Sequence, residues 1–402
     1  MIYIYLLSVI IYVFSLITSR QNILSPFVFF GLLSFIYCFF PWMYINSNEN
    51  SFFLSWDDLN IQSSITILLL QTLSNFFLCW VMYKPISRNL ISSIENKESI
   101  IKGKGIFWYI YPISLYFSYY FPWPQFGEEL TTGNSIAAFL KIFLLILFCI
   151  YCKSSNSFKK FFAFMAFVFL CVIDTSRTIL LILVTLYAFN LDISWKKLFK
   201  YSPFIISAFL IFLWISLNRN GINFEPKYIT WVFYTESIFG SYSTFQSIGL
   251  VNKGLVPVTF FLYPIIDMFV TLIPNIFFNI FGVVKADVFL IDNFFTRLFE
   301  NGLLSEKIAP MGGHFYISEF YLDFRYFTPI FIGLYYYLFM KLIEKMRYKE
   351  IAVVFYCSSF LLIKSPFLIN FKFFLSIYII SYIILIFFKF LHIYLRTIHK
   401  LI

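Results

Sequence analysis

Charge is what this 402-residue chain has least of. Asp, Glu, Lys and Arg together make up 12% of it, about half of what a soluble domain carries. Histidine occurs three times, twice in the C-terminal tail (His392, His399), and no His/Cys/carboxylate cluster has metal-ligand spacing. The N-terminal MIYIYLLSVIIYVFSLITSR has no basic residue before its apolar run and no small-residue cleavage site, so a removable signal peptide is not expected. Cysteine is sparse too. The six cysteines lie in or beside apolar runs, and the Cys149–Cys152 CxxC has none of the strand–helix context of a redox motif, so no disulfide is required.

What is present is apolar. Hydrophobic residues account for 60% of the chain, with 58 Phe and 29 Tyr, and the mean hydropathy is +0.82. Several runs approach the 18 or more residues that cross about 30 Å of hydrocarbon. A net charge of +10 could suggest nucleic acid, but in so apolar a chain it reports basic cytoplasmic loops, and no nucleic-acid partner is expected. The expected fold class is an all-α polytopic membrane protein, a single integral membrane domain over residues 1–402.

Apolar runs predict eleven spans, at 2–19, 26–45, 61–83, 106–121, 135–152, 161–173, 178–190, 201–217, 326–340, 351–363 and 373–388. Lys and Arg set their direction. Alternate connections hold Arg20; Lys84, Arg88, Lys97, Lys102 and Lys104; Lys153, Lys159 and Lys160; Lys196, Lys197 and Lys200; Lys341, Lys345, Arg347 and Lys349; and Lys389, Arg396 and Lys400. The acidic Glu49, Asp57, Asp58, Glu128 and Glu129 fall in the others. The expected topology is N-terminus out and C-terminus in.

LVPVTFFLYPIIDMFVTLIPNIFFNIFG (255–282) is long enough to cross but carries three prolines and Asp267, costly in a lipid-exposed helix. It reads instead as a broken or re-entrant helix pair covered by the bundle. Residues 218–318 then form one large extracytoplasmic loop, and loops of that length usually carry function.

The outer side of this topology holds arginines where the inner side holds lysines: Arg177 in DTSRT, Arg219 in SLNRNG, Arg297 in DNFFTRLFE and Arg325 in LDFRYF. The planar guanidinium binds phosphate oxygens in pairs and stays charged when partly desolvated. Such a set would suit a diphosphate at the membrane surface. Local ion pairs, Arg177 with Asp174 and Arg325 with Asp323, are the alternative. In GGHFYISEFYLDFRYF (312–327), Glu319 and Asp323 share a helix face if a helix starts near Ile317. His314 follows a Gly pair that permits close backbone approach to a ligand. Either His314 or Glu319 could take a proton from a hydroxyl; the alternative is a capped helix start, with Ser318 or Glu319 satisfying free N–H groups. Tyr316, with other outer aromatics such as Trp231, Tyr234, Tyr242 and Tyr321, is a candidate to stack on sugar, although interfacial belts use the same residues.

These segments resemble a known family. GGHFYISEFYLDFRYFTPIFIGLYYYLF is similar to the end of the large periplasmic loop of O-antigen polymerases (the Wzy family), where a Gly pair and Ser-x-x-Glu lead into a late membrane helix. DTSRT before an apolar run resembles the Ser-Arg turn of these polymerases and of O-antigen ligases. YTESIFGSYSTFQSIG and 255–282 sit where the polymerases carry re-entrant loop helices. This chain has Asp323-Phe324-Arg325 where many relatives carry Asn-x-Gly.

The resemblance implies a GT-C-like, metal-independent membrane glycosyltransferase of the bacterial inner membrane, without a cofactor, whose active site faces the periplasm. Its substrates would be undecaprenyl-diphosphate-linked oligosaccharides, its surroundings membrane lipids, and its pathway partners a flippase and a chain-length regulator. Arg177, Arg219, Arg297, Arg325 and Tyr316 would bind diphosphate or acceptor. An O-antigen ligase, or a flippase for the same lipid-linked sugar, is the alternative; transporters tend to place charges deep within spans and to show internal repeats, whereas here the charges cluster at outer span ends and no repeat is visible.

Overall fold

The computed structural model describes residues 1–46, 61–99, 106–122, 132–174, 176–191, 241, 243–254, 262–273, 275–283, 315–364, 367 and 370–384, with isolated positions at 203, 206, 207, 210, 211, 214, 288 and 386. These residues are almost all helical. Among them the only extended pairing is an isolated bridge between Glu98 and Tyr348.

The chain begins with α1 (Ile2–Thr18), α2 (Pro26–Asn46), α3 (Ile61–Met82) and the short α4 (Pro85–Glu95). Then come α5 (Ile106–Tyr120), α6 (Thr132–Ser154), α7 (Ser157–Ile173) and α8 (Arg177–Asn190). Later elements are α9 (Leu262–Leu272), α10 (Tyr316–Phe324), α11 (Thr328–Lys345), α12 (Lys349–Cys357) and α13 (Asn370–Ile384). Local chemistry sets several starts. Pro26, Pro85 and Pro329 occupy the first helical turn, where the missing N–H costs nothing. The Asn156 side chain caps α7 by accepting from the Lys159 amide at 3.0 Å.

Four helical stretches are long and apolar enough to cross a membrane: Pro26–Met43, Ile61–Met82, Ile136–Lys153 and Tyr316–Lys345; Ile2–Thr18, Thr178–Asn190 and Asn370–Ile384 are shorter apolar helices. Side-chain distribution agrees with a lipid surround. On α1 the outward face is Tyr3, Leu7, Ile10, Phe14 and Ile17, all well exposed, while the inward face is Tyr5, Ser8, Tyr12 and Ser15, all buried. A surface more apolar than the interior suits hydrocarbon, not water. Inside, small hydroxyls let helices approach and return their protons to their own backbones, as Thr72 does to Leu68 and Ser74 to Leu70 at 2.7 and 2.8 Å.

Two groups of helices make the bundle. α3 packs against α1, α2 and α11; α6 packs against α5, α7 and α8; α12 touches α4, α6, α8 and α11 and so joins them.

The basic connections gather at one end. Thr18 and Tyr83 are hydrogen-bonded at 2.5 Å, bringing the ends of α1 and α3 together. Lys97 donates to the carbonyls of Glu344 and Met346, both at 2.6 Å. Glu95, Lys153, Lys160, Asn190 and Lys349 line one cavity. Connections that the sequence assigned to a single side are therefore neighbours in space.

The last candidate span departs from expectation. Tyr316–Lys345 is not one continuous rod. Phe320 and Tyr335 have ring centroids 5.7 Å apart, whereas fifteen residues of helix would separate them by about 22 Å. Phe324 stacks on Phe331 at 3.5 Å. α10 thus folds back antiparallel along α11, through a 3₁₀ turn at Arg325–Phe327. The turn begins at Arg325 with φ +52° and ψ −125°, a conformation side chains other than glycine avoid.

The segment 255–282 is broken, as its prolines suggest: α9 ends at Leu272, and a short helix occupies Asn275–Ile280. Asp267 of α9 is fully buried. The expected span at 201–217 and most of the 218–318 loop fall outside the described residues.

Candidate functional site

The hairpin carries the candidate site into the bundle. Its deep end is Tyr316, 3% exposed. Its hydroxyl donates to Gln71 Oε1 at 2.8 Å. Gln71 Nε2 donates to Asn75 Oδ1 at 2.8 Å, and Asn75 Nδ2 to Ser8 Oγ at 3.0 Å. Ser8 closes the chain on the Tyr5 carbonyl at 2.7 Å. This buried thread ties α10 to α3 and α1. Tyr316 therefore sits in the interior, between Phe30 and Phe315, and not at the surface where a sugar-stacking ring was expected. The signal for the thread was legible: Gln71 and Asn75 are four apart, on one face of an apolar helix.

Glu319 lies one turn further along. One carboxylate oxygen, Oε2, accepts from the Phe367 backbone N–H at 2.7 Å. The other, Oε1, is buried and has no hydrogen-bond partner among the described residues. Such an oxygen loses the hydration that would have satisfied it. Around it stand Asp323, one helical turn on and buried, and Asp267 of α9, both close enough for their charges to act on Glu319. Tyr335 of α11 is within the same range, with the Asn370 side chain close to it. The expectation that Glu319 and Asp323 share one helix face holds. Glu319 does lie in the first turn of its own helix, where a carboxylate is favoured, while its described hydrogen-bond partner is the amide of residue 367.

Arg325 sits at the hairpin turn. Its Nη1 donates to the carbonyls of Tyr321 and Leu322, at 3.0 and 2.5 Å, so the guanidinium closes the C-terminal end of α10. Those carbonyls are the unpaired, negative end of the helix, where a cation is favoured. Arg177 is the first residue of α8, and its side chain lies outside the described set, as do Arg219, Arg297 and His314 entirely. The structure thus brings Tyr316, Glu319 and Arg325 onto one short hairpin.

The DTSRT turn holds a residue that the sequence reading missed. Lys141, within α6 and 1% exposed, forms a buried ion pair with Asp174 and donates to Ser176 Oγ at 3.0 Å. Ser176 in turn donates to Asp174 Oδ2. Asp174 is thus engaged by a lysine 33 positions earlier; the local pair with Arg177, the alternative that spacing offered, involves a side chain outside the described set. Among the described residues no group of three or more His, Cys, Asp or Glu is arranged to hold a metal ion.

Comparison with protein-family profiles, curated proteins and solved structures found no match to this chain.

Proposed function

We infer that this chain is a polymerase of undecaprenyl-diphosphate-linked glycan repeat units, working at the periplasmic face of the bacterial inner membrane. It spans eleven times, N-terminus out and C-terminus in, with 218–318 as the outer loop. The observation that carries the reading is Glu319: a buried carboxylate on a helix folded back into the bundle, with one oxygen held by an amide and the other unpartnered among the described residues. That is the arrangement of a positioned proton acceptor. The clustering of basic connections at one end of the bundle supports the topology, since it leaves the hairpin turn at the opposite end.

In this reading a hydroxyl of the newly flipped repeat unit gives its proton to Glu319. Its oxygen bonds to the anomeric carbon of the growing chain. The bond from that carbon to the diphosphate oxygen breaks, and its electron pair stays with undecaprenyl diphosphate. Arg177, Arg219 and Arg297 offset the charge of the departing diphosphate. Arg325 holds the turn that sets Glu319 at its depth. His314 remains the second candidate for the base.

The test is a gel of surface polysaccharide from a strain lacking the gene, complemented with the wild type or with Glu319→Gln. The substitution keeps an acceptor for the Phe367 amide and removes the base. A ladder restored by the wild type, with only one repeat on core for the variant, supports the assignment. A full ladder with the variant excludes Glu319, and complete loss of glycan from core in the deletion strain indicates a ligase instead.

A further inference from the structure

The basic end of the bundle contains a recess that the glycosyl-transfer reading does not use. It is a cavity of about 240 Å³ between the ends of α4, α6, α7, α8 and α12, lined by Glu95, Lys153, Lys160, Asn190, Lys349 and Glu350. Cys149 and Cys152, both free, also contribute to its wall. Three lysines from three different helix ends line this space.

Three lysines and two carboxylates leave the wall with one positive charge in excess. The ammonium groups of Lys153 and Lys160 make no hydrogen bond or ion pair among the described residues. Lys349 reaches only a backbone carbonyl, that of Glu95, at 3.5 Å. Of the two carboxylates in the wall, Glu350 is buried and accepts a hydrogen bond from Ser99. The cavity also meets the start of α12. That nine-residue helix has no side-chain cap, Glu350 in its first turn offsets its positive end, and the Lys349 N–H is held by the Glu98 carbonyl at 2.9 Å. Like charges brought together in a recess repel, and an anion with several oxygens, each accepting from a different ammonium, relieves that repulsion.

The helix start that supplies Lys160 indicates where such an anion would come from. Phe158 and Phe162 flank Lys159 and Lys160 on the first turns of α7 and are exposed. Aromatic side chains next to lysines at a helix end are the pattern of the bilayer interface. We propose that this cavity is a binding site for a phosphate group, held by Lys153, Lys160 and Lys349, at the end of the bundle opposite Glu319. A lipid headgroup and a soluble phosphate ester present the same oxygens; the exposed aromatics at the start of α7 favour the headgroup. The site is independent of the polymerase reading, because its occupancy is measured by binding alone.

The experiment uses the full-length protein in nanodiscs of phosphatidylcholine, with or without phosphatidylglycerol, and separately in detergent with inorganic phosphate. Lysine accessibility is read by reductive methylation and mass spectrometry, which needs no variant. Protection of Lys153 and Lys160 by phosphatidylglycerol identifies a lipid site, and protection by inorganic phosphate alone identifies a site for soluble phosphate. Equal methylation in all conditions overturns the proposal. In a second measurement, Lys153→Gln/Lys160→Gln should retain the protecting ligand about tenfold less tightly, judged by native mass spectrometry. The Lys153→Arg/Lys160→Arg variant should keep it. Equal retention by the Gln variant also overturns the site.

Discussion

Phe324 and Phe331 stack face to face, with ring centroids 3.5 Å apart and planes 11° from parallel. Seven residues along a continuous helix would hold them about 10 Å apart. This contact therefore belongs to a hairpin, and the hairpin is why a carboxylate that would otherwise lie at a helix mouth is buried beside Tyr335 and Asn370.

The turn that permits the contact should prefer glycine. Arg325 adopts φ +52°, and holding a side chain in so sparsely populated a region costs on the order of 1–3 kcal/mol. Arg325→Ala keeps that cost and loses the bonds to the Tyr321 and Leu322 carbonyls. Arg325→Gly loses the same bonds and relieves the backbone. Thermal unfolding in detergent should rank wild type and Arg325→Gly close together and Arg325→Ala below them. An Ala variant as stable as the Gly variant would contradict the backbone geometry.

The pair in α6 and the DTSRT turn should behave as a buried ion pair. Lys141→Ala leaves Asp174 charged and enclosed, a loss of about 3–5 kcal/mol, whereas Lys141→Met with Asp174→Asn should recover most of it. A double-mutant cycle on purified protein measures the coupling. No recovery in the double variant would mean that the two charges are stabilised separately.

The proposed polymerase reading also gives Arg219 and Arg297 a role, offsetting the charge of the departing diphosphate. Arg219→Ala and Arg297→Ala should each reduce long-chain glycan to short products while the protein reaches the membrane at normal level. Immunoblotting of membranes beside the polysaccharide gel separates lost activity from lost protein. Unchanged chain length in both variants would remove arginine from the mechanism.

Gly31 offers a packing test away from any chemistry. A Cβ there would lie 2.8 Å from Tyr12 Cε1. That ring is buried, and its hydroxyl donates to the Phe27 carbonyl at 2.7 Å, so it yields poorly. Gly31→Ala should cost about 1–3 kcal/mol by overpacking, read as a lowered Tm in detergent. A neutral effect would show that Tyr12 swings aside.

Helix positions were largely legible because lipid-facing segments write themselves as apolar runs. The runs at 2–19, 26–45 and 61–83 correspond to helices at Ile2–Thr18, Pro26–Asn46 and Ile61–Met82. Pairing between distant segments was not legible. The stretch SEFYLDFRYFTPIFIG reads as the start of a span, since nothing in its periodicity distinguishes a rod from a fold-back; only the ring contacts between α10 and α11 do. Lys141 was hidden in the same way. A single lysine within KIFLLILFCIY looks like an anchor, and its partner lies 33 residues on, past local rules that pointed Asp174 at Arg177. Glu319 was found, but the amide that holds it comes from residue 367, which carries no signal of its own.

That amide has a consequence for biogenesis. Residue 367 leaves the ribosome 48 positions after Glu319, a delay of about 2–10 s at ordinary translation rates. Until then the carboxylate lacks this partner, and the nine residues of α10 are too few to cross the bilayer by themselves. The hairpin itself can fold as α11 emerges, but its carboxylate gains this partner only once residue 367 has followed, so the candidate site is completed late in synthesis.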